Sequence, residues 1–130
     1  MQAESHLFLA KARESLASAE ADLQARRFNS AANRSYYAAF QVAISLLIRH
    51  GIVPRGRSWE HRFVMSEFSG KLVARRKVVS AQLGGKLELL FTIRLVADYD
   101  QDSVSGRQAS RSVREARDFV AQLEMAEGER

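Results

Sequence analysis

The most extensive apolar pattern in the chain lies between Asn29 and His50 and predicts a central, buried helix. Apolar residues recur there at the spacing of a helix face and form two stripes that together cover most of the circumference. The stripes contain Ala32, Tyr36, Ala39, Ala43 and Leu46, and Tyr37, Phe40, Ile44 and Leu47. A helix that is apolar nearly all round lies in a core or in a membrane. The polar residues Asn33, Arg34 and Gln41 favour the core.

A shorter amphipathic pattern precedes the central helix and predicts its packing partner. Its single apolar face consists of Leu9, Ala12, Leu16, Ala19 and Leu23. The link between the two patterns, Ala25–Phe28, is short, so we expect an antiparallel hairpin. Asn29 or Ser30 is the expected N-cap of the central helix, because short polar side chains accept the free N–H groups of a helix start.

The chain after Gly51 predicts one short helix. Ser58 is its expected N-cap, and the helix is expected to begin at Trp59. Its inward positions are four residues apart, at Val64, Phe68 and Leu72.

The C-terminal part predicts two more long helices. The first has a clear pattern from Lys86 and ends near Tyr99, while Gly84-Gly85 leaves its start open. The second has one apolar face, and Ser105 and Gln108 stand at the spacing of a capping box. The apolar face consists of Ala109, Val113, Ala116, Val120 and Leu123.

These patterns together predict an all-α fold, since the chain has no alternating pattern of useful length for a strand. We expect an antiparallel, up-and-down bundle of four main helices plus a shorter one. At 130 residues the chain is expected to form a single domain over 1–130, with its core at about 7–124.

Composition narrows the classes of function. Lys and Arg total 20 against 15 acidic residues, and this modest positive excess is compatible with binding phosphate. The chain has no cysteine and no His-Glu-x-x-His motif, so we expect no metal and no cofactor. The N-terminus has no basic segment followed by an apolar one, and we therefore expect a cytoplasmic protein without membrane association.

Two groups of residues have candidate chemistry. His61 follows the loop after Gly51, and it is either a packing or capping residue or a functional one. Arg94 interrupts an apolar helix face, and an intrahelical ion pair with Asp98 would compensate its charge. Alternatively, Arg34 of the central helix and Arg94, each with a nearby tyrosine, define a polar seam that can hold a phosphate.

Several of these residues occur in an order that resembles the HEPN domain family, and in particular its small stand-alone prokaryotic members. The similarity rests on Ala32-Asn33-Arg34-Ser35-Tyr36-Tyr37-Ala38-Ala39-Phe40, then His61, then Arg94-x-x-x-Asp98-Tyr99, then a final amphipathic helix from about Ser105. It extends from about residue 7 to 124. The resemblance implies a helical bundle that forms a homodimer and pairs with a minimal nucleotidyltransferase, in toxin–antitoxin fashion.

The same resemblance implies a site. Many HEPN proteins are metal-independent ribonucleases in which an arginine is followed after four to six residues by a histidine. Here Tyr99 stands five residues after Arg94, and no histidine occupies 98–101. The catalytic candidates are therefore Arg94, with His61 or Tyr99 as the proton carrier. The nucleotide- or phosphate-binding candidates are Arg34, Arg94 and Tyr37.

Three functions remain open at this point. The first is a dimeric partner of a nucleotidyltransferase that binds a nucleotide or RNA phosphate. The second is an active ribonuclease toxin. The third is a helical adaptor that binds no nucleotide.

Overall fold

The computed structural model describes residues 2–56, 58–99 and 103–128. It contains helices α1 (Gln2–Gln24), α2 (Phe28–Arg49), α3 (His61–Glu67), α4 (Ala81–Tyr99) and α5 (Gly106–Gly128). A π-helical segment, Phe68–Arg75, continues α3. The described residues include no strand, and the predicted all-α bundle of four long helices and a shorter one is confirmed.

Helix α2 is the centre of the bundle, as its apolar pattern predicts. It packs against α1, α4 and α5, and 14 of its residues are buried. The alanines on α2 allow close approach: Ala31, Ala32, Ala38, Ala39 and Ala43 have no exposed surface. Helices α1 and α2 are joined by a turn in which Arg26 has a positive φ of 62°, and they form the expected hairpin. None of the described helices combines the length and the apolar character needed to cross a lipid bilayer.

The predicted N-caps of α2 and α3 are wrong. Helix α2 already begins at Phe28, and its side chains at 29 and 30 serve tertiary contacts instead. Asn29 Oδ1 accepts the backbone N–H of Val104, and Ser30 Oγ donates to Asp22 Oδ2 at 2.6 Å. Helix α3 begins at His61 rather than at Trp59, after an extended Glu60.

The Gly-Gly sequence does not delay the start of α4. The helix begins at Ala81, and Ser80 Oγ accepts the backbone N–H of Leu83 at 3.1 Å. This side-chain cap offsets the low helix propensity of Gly84 and Gly85.

The winding of the chain changes after α3. Val64, Phe68 and Leu72 are fully buried, as their spacing predicts, but the helix widens to π geometry from Phe68 onward. Stretches of π-helix are rare and often mark functional sites. Here the segment ends at Arg75 and turns through Lys77, which has a positive φ of 54°.

Helix α5 has the capping box that its sequence predicts. The Ser105 N–H donates to Gln108 Oε1 at 3.0 Å, and the Gln108 N–H donates to Ser105 Oγ at 3.1 Å. The polar segment Asp100–Ser103 that follows Tyr99 has the composition of a turn, and its residues 100–102 lie outside the described residues. The apolar face of α5 packs on α2, with Ala109, Ala116 and Leu123 fully buried.

Candidate functional site

Arg34 of α2 and Arg94 of α4 converge on a single aromatic ring, that of Tyr37. The Cζ atom of Arg34 lies 4.9 Å from the centre of this ring, and that of Arg94 lies 5.2 Å from it. Arg94 Nη2 also donates to Tyr37 Oη at 3.2 Å. The two distances from guanidinium carbon to ring centre, 4.9 and 5.2 Å, are typical of cation–π contacts. We call these three side chains the Tyr37 seam.

A polar network holds the two guanidinium groups in place. Arg94 Nε donates to Asp98 Oδ2 at 2.9 Å, which is the ion pair that the spacing of these two residues suggests. Asn33 Nδ2 donates to both Asp98 oxygens, at 3.1 and 3.0 Å. Its Oδ1 accepts from Arg34 Nε at 3.0 Å and from Arg34 Nη2 at 2.7 Å. Asn33 thus links the Arg34 guanidinium to the Arg94–Asp98 ion pair, and two cationic groups with one carboxylate leave the network with a net positive charge.

His61 lies at the start of α3 and is fixed by aromatic neighbours. Its ring stacks on Phe91, with the ring centres 3.6 Å apart and the planes inclined by 20°. Its Nδ1 forms a hydrogen bond with the hydroxyl of the buried Tyr36. Helix α3 therefore holds His61 against both α2 and α4.

The environment sets the protonation of this pair. Burial, together with the charge of Arg94, lowers the pKa of His61 below its usual 6.5. Burial raises the pKa of Tyr36 far above its usual value, although the charge of Arg94 opposes this shift. At neutral pH the imidazole is neutral and the phenol is protonated. The hydrogen bond between Nδ1 and the phenol fits either tautomer, and the tautomer in which Nδ1–H donates to Tyr36 Oη leaves the Nε2 lone pair free.

Tyr36 connects His61 to the Tyr37 seam. The Cζ atom of Arg94 lies 5.2 Å from the centre of the Tyr36 ring, and the Tyr36 and Tyr37 rings meet edge to face at 5.2 Å. Tyr99 lies beside the same guanidinium, with its ring centre 6.0 Å from Arg94 Cζ, and is 73% exposed. The structure thus gathers all of the sequence-predicted site residues into one region.

An open groove adjoins this region at His61. It runs between α4 and the α3–π segment, and its lining combines an aromatic wall with hydroxyl and charged groups. The lining residues are His61, Arg62, Met65, Ser66, Ser69, Glu88 and Phe91.

Sequence reasoning alone missed the site roles of Tyr36, Asn33 and Phe91. Tyr36 and Phe91 have the periodicity of core residues, which hides the hydroxyl that binds His61 and the ring that supports it. Asn33 is a polar residue directly before Arg34 on an otherwise apolar helix, and this was the signal that could have identified its role.

Among the described residues, no group of three or more His, Cys, Asp or Glu side chains is placed to hold a metal ion.

Comparison with known proteins identifies the family of the chain. No curated protein matches the sequence. The HEPN domain, however, matches residues 5–126, which is nearly the entire chain and includes every residue of the Tyr37 seam as well as His61 and Tyr99. The chain therefore belongs to the HEPN domain family, and its general function is of the HEPN type, concerned with nucleotides or RNA.

Proposed function

We propose that this HEPN protein acts as a dimeric partner of a nucleotidyltransferase, in a toxin–antitoxin type of pair, and binds a nucleotide or RNA phosphate at the Tyr37 seam. The observation that supports this function best is the convergence of Arg34 and Arg94 on the Tyr37 ring, at 4.9 and 5.2 Å. Guanidinium groups held by neighbours are well suited to phosphate, because their donors are already oriented.

Arg34 is the stronger phosphate candidate of the two. Among the described residues it forms no ion pair, and it is held by the neutral amide of Asn33. Arg94 is already paired with Asp98. A phosphate that approaches the seam would therefore meet a guanidinium at Arg34 that is not engaged in an ion pair, and an aromatic surface at Tyr37, on which a base can stack.

The proposal predicts that Arg34→Gln weakens nucleotide binding about tenfold or more, since one charge-assisted contact is worth roughly 1.5–3 kcal/mol. The binding of ATP and of a short RNA would be measured by calorimetry or fluorescence anisotropy. Arg55→Gln is the matched control, because Arg55 is exposed in the loop after α2 and undergoes the same change. Equal affinities for the Arg34 variant and the wild type would refute binding at the seam.

The partner is tested separately. The chain would be co-expressed with a tagged minimal nucleotidyltransferase, the class of partner that the family resemblance implies, and we expect the two to co-purify. Growth arrest by this chain alone, relieved by the partner, would support the toxin–antitoxin pairing. Failure to co-purify at matched expression would remove the partner from the proposal and leave the phosphate site untouched.

A metal-independent ribonuclease is the second candidate function, favoured by one observation. A neutral His61 and the charged Arg94 both contact the Tyr36 ring, so a proton carrier and a phosphate-binding group lie close together. With its proton on Nδ1, a neutral His61 would offer the free Nε2 lone pair as a general base toward the attacking 2′-hydroxyl.

The ribonuclease assay is run with purified protein in EDTA, which suppresses contaminating metal-dependent nucleases. If the second candidate is right, the wild type cleaves RNA and Arg94→Ala loses at least a hundredfold in rate, as expected for loss of a group that stabilises developing charge. His61→Gln and Tyr99→Phe then identify the proton carrier. No cleavage by the wild type, or equal cleavage by Arg94→Ala, would eliminate this candidate.

A further inference from the structure

Three exposed arginines form a line along the outer face of α5. Arg107, Arg111 and Arg114 follow each other at spacings of four and three residues, which places them on one side of the helix. With a rise of about 1.5 Å per residue, the line extends over roughly 10 Å. The opposite side of α5 contains the buried residues Ala109, Ala116 and Leu123. We call the three arginines the α5 stripe.

The stripe is not neutralised within the chain. None of its three side chains forms an ion pair among the described residues. The described carboxylates of α5 are engaged by cations of other helices. Glu115 and Asp118 pair with Lys86 of α4 at 2.7 and 3.2 Å, and these two partners raise the pKa of Lys86 against the effect of burial.

The remaining charges of α5 show the same pattern. Glu124 pairs with Arg13 of α1 at 3.0 Å, and Arg117 pairs with Glu20 of α1 at 2.7 Å. Most charged groups of this helix therefore have a partner inside the bundle, and the stripe is the exception. A row of exposed arginines without ion-pair partners is suited to bind a polymer with regularly spaced negative charges.

The stripe continues toward the turn between α1 and α2. A groove at this end is lined by Arg26, Arg27, Asn29 and Ser103, among others. Helix α5 starts close to Phe28: a Cβ at Gly106 would lie 3.1 Å from Phe28 Cζ, a tight contact that the glycine avoids. Arg26 stands in this turn with its Cζ 5.5 Å above the Phe28 ring, and Arg27 beside it is paired with Asp22. Arg26 is therefore a fourth cation without an ion pair among the described residues.

We propose that the α5 stripe binds the sugar–phosphate backbone of RNA, with the Arg26 groove as its extension. Arginine is the residue that matches phosphate geometry with several donors, and Gln108 and Ser110, which are exposed beside the stripe, can donate to phosphate or ribose oxygens. A membrane surface fits less well, since the apolar face of α5 is buried in the core and is not available for insertion. The stripe shares no residue with the Tyr37 seam, so this inference does not depend on nucleotide binding there.

The test compares two triple variants with the same change in net charge. The stripe variant has Gln in place of Arg107, Arg111 and Arg114. The control variant has Gln in place of three basic residues that are exposed on other elements, Lys11, Arg55 and Arg75. Binding of a labelled single-stranded RNA of about 16 nucleotides is followed by fluorescence anisotropy, at salt concentrations between about 50 and 200 mM. Circular dichroism confirms that each variant is folded.

We expect the stripe variant to bind RNA at least tenfold more weakly at low salt. The slope of log K against log salt should fall by about 2, since each lost phosphate contact removes about 0.7 for a single strand. The control variant should keep a slope close to that of the wild type. Adding Arg26→Asn, a residue that tolerates positive φ, should weaken binding further.

Several results would overturn the inference. The first is a wild type that binds no RNA, and the second is an equal loss of RNA affinity in both triple variants. The third is a stripe variant that keeps its RNA affinity but no longer binds an acidic peptide or anionic vesicles. Arg34→Gln separates this inference from the proposed function. If that variant loses ATP binding and its RNA salt slope falls by no more than the value of one contact, about 0.7, both hold. If ATP never binds while the stripe result stands, only the Tyr37 seam fails.

Discussion

His61 is the residue whose chemistry depends most on its surroundings. On sequence it is one of three histidines, and in the fold it is held between Phe91 and Tyr36. These contacts remove water from the imidazole and place it near the charge of Arg94. Both effects disfavour the protonated form, so the residue is neutral under conditions in which a free histidine is partly charged.

This environment predicts that acid destabilises the protein through His61. The unfolded chain takes up a proton near pH 6.5, and the folded protein does so only at lower pH. Between these two values the unfolded state binds more protons, so the free energy of unfolding falls as the pH is lowered through this window. The urea midpoint should be lower at about pH 5 than at about pH 7.5, and His61→Gln should reduce this difference.

His6→Gln is the matched control, because His6 is exposed on α1. The carboxyl groups of Asp22 and Asp118 titrate below the window, since hydrogen bonds, first from Ser30 and Gln122 respectively, lower their pKa from 3.8. A pH dependence that is unchanged in the His61 variant would contradict the assignment.

At the scale of single elements, α4 shows how one cap and one contact decide a helix start. Gly84 and Gly85 are its fourth and fifth residues, yet the helix begins at Ala81 because Ser80 caps it. The two glycines differ in their surroundings. A Cβ at Gly84 would lie 2.9 Å from Val73 Cγ2, whereas a Cβ at Gly85 would meet nothing within 4 Å.

The difference predicts opposite outcomes for two alanine substitutions. Gly85→Ala should raise the free energy of unfolding by roughly 0.5–1 kcal/mol, because alanine restricts the unfolded backbone and favours helix. Gly84→Ala has the same propensity gain but must displace Val73 of the π-helical segment, so it should gain less or destabilise the protein. Urea denaturation measures the free energy of unfolding of both variants. Equal stabilisation would contradict the prediction, because it would mean that Val73 moves aside at no energetic cost.

At the scale of the whole molecule, the proposed homodimer needs an exposed apolar surface. Trp59 and Phe63 suggest one on sequence, but both are half-buried, and Trp59 packs against Phe8 and Phe63 with ring centres 6.0 Å apart. Leu95 and Tyr99 of α4 are more exposed, at 39% and 73%. They lie one helical turn apart and next to Arg94, so a second copy of the chain that covers them would also cover the Tyr37 seam.

We therefore predict that Leu95→Glu converts the dimer into a monomer, because it would bury an unpaired charge in the interface. Light scattering at tens of micromolar should give a dimer for the wild type. Leu7→Glu is the control, since Leu7 is 54% exposed on α1 and far from α4 in sequence. A wild type that is monomeric at this concentration, or a Leu95 variant that remains dimeric, would reject this interface.

The sequence alone determined the number, order and buried faces of the helices. Periodicity is a local property, and a residue such as Phe68 or Leu123 is buried wherever its helix packs. The capping box at Ser105 and Gln108 was predictable for the same reason, since both partners lie within one turn. So was the proximity of Arg94 to Asp98, four residues apart on one helix.

Only the tertiary structure decided which side chains meet across helices. Asn29 and Ser30 have the chemistry of caps, but packing offered them partners on other elements, and the helix began before them. The pairing of Tyr36 with His61 joins residues 25 positions apart, and that of Arg94 with Tyr37 joins residues 57 apart. Such contacts depend on helix rotation and crossing, which periodicity restricts to a face but does not resolve to individual atoms.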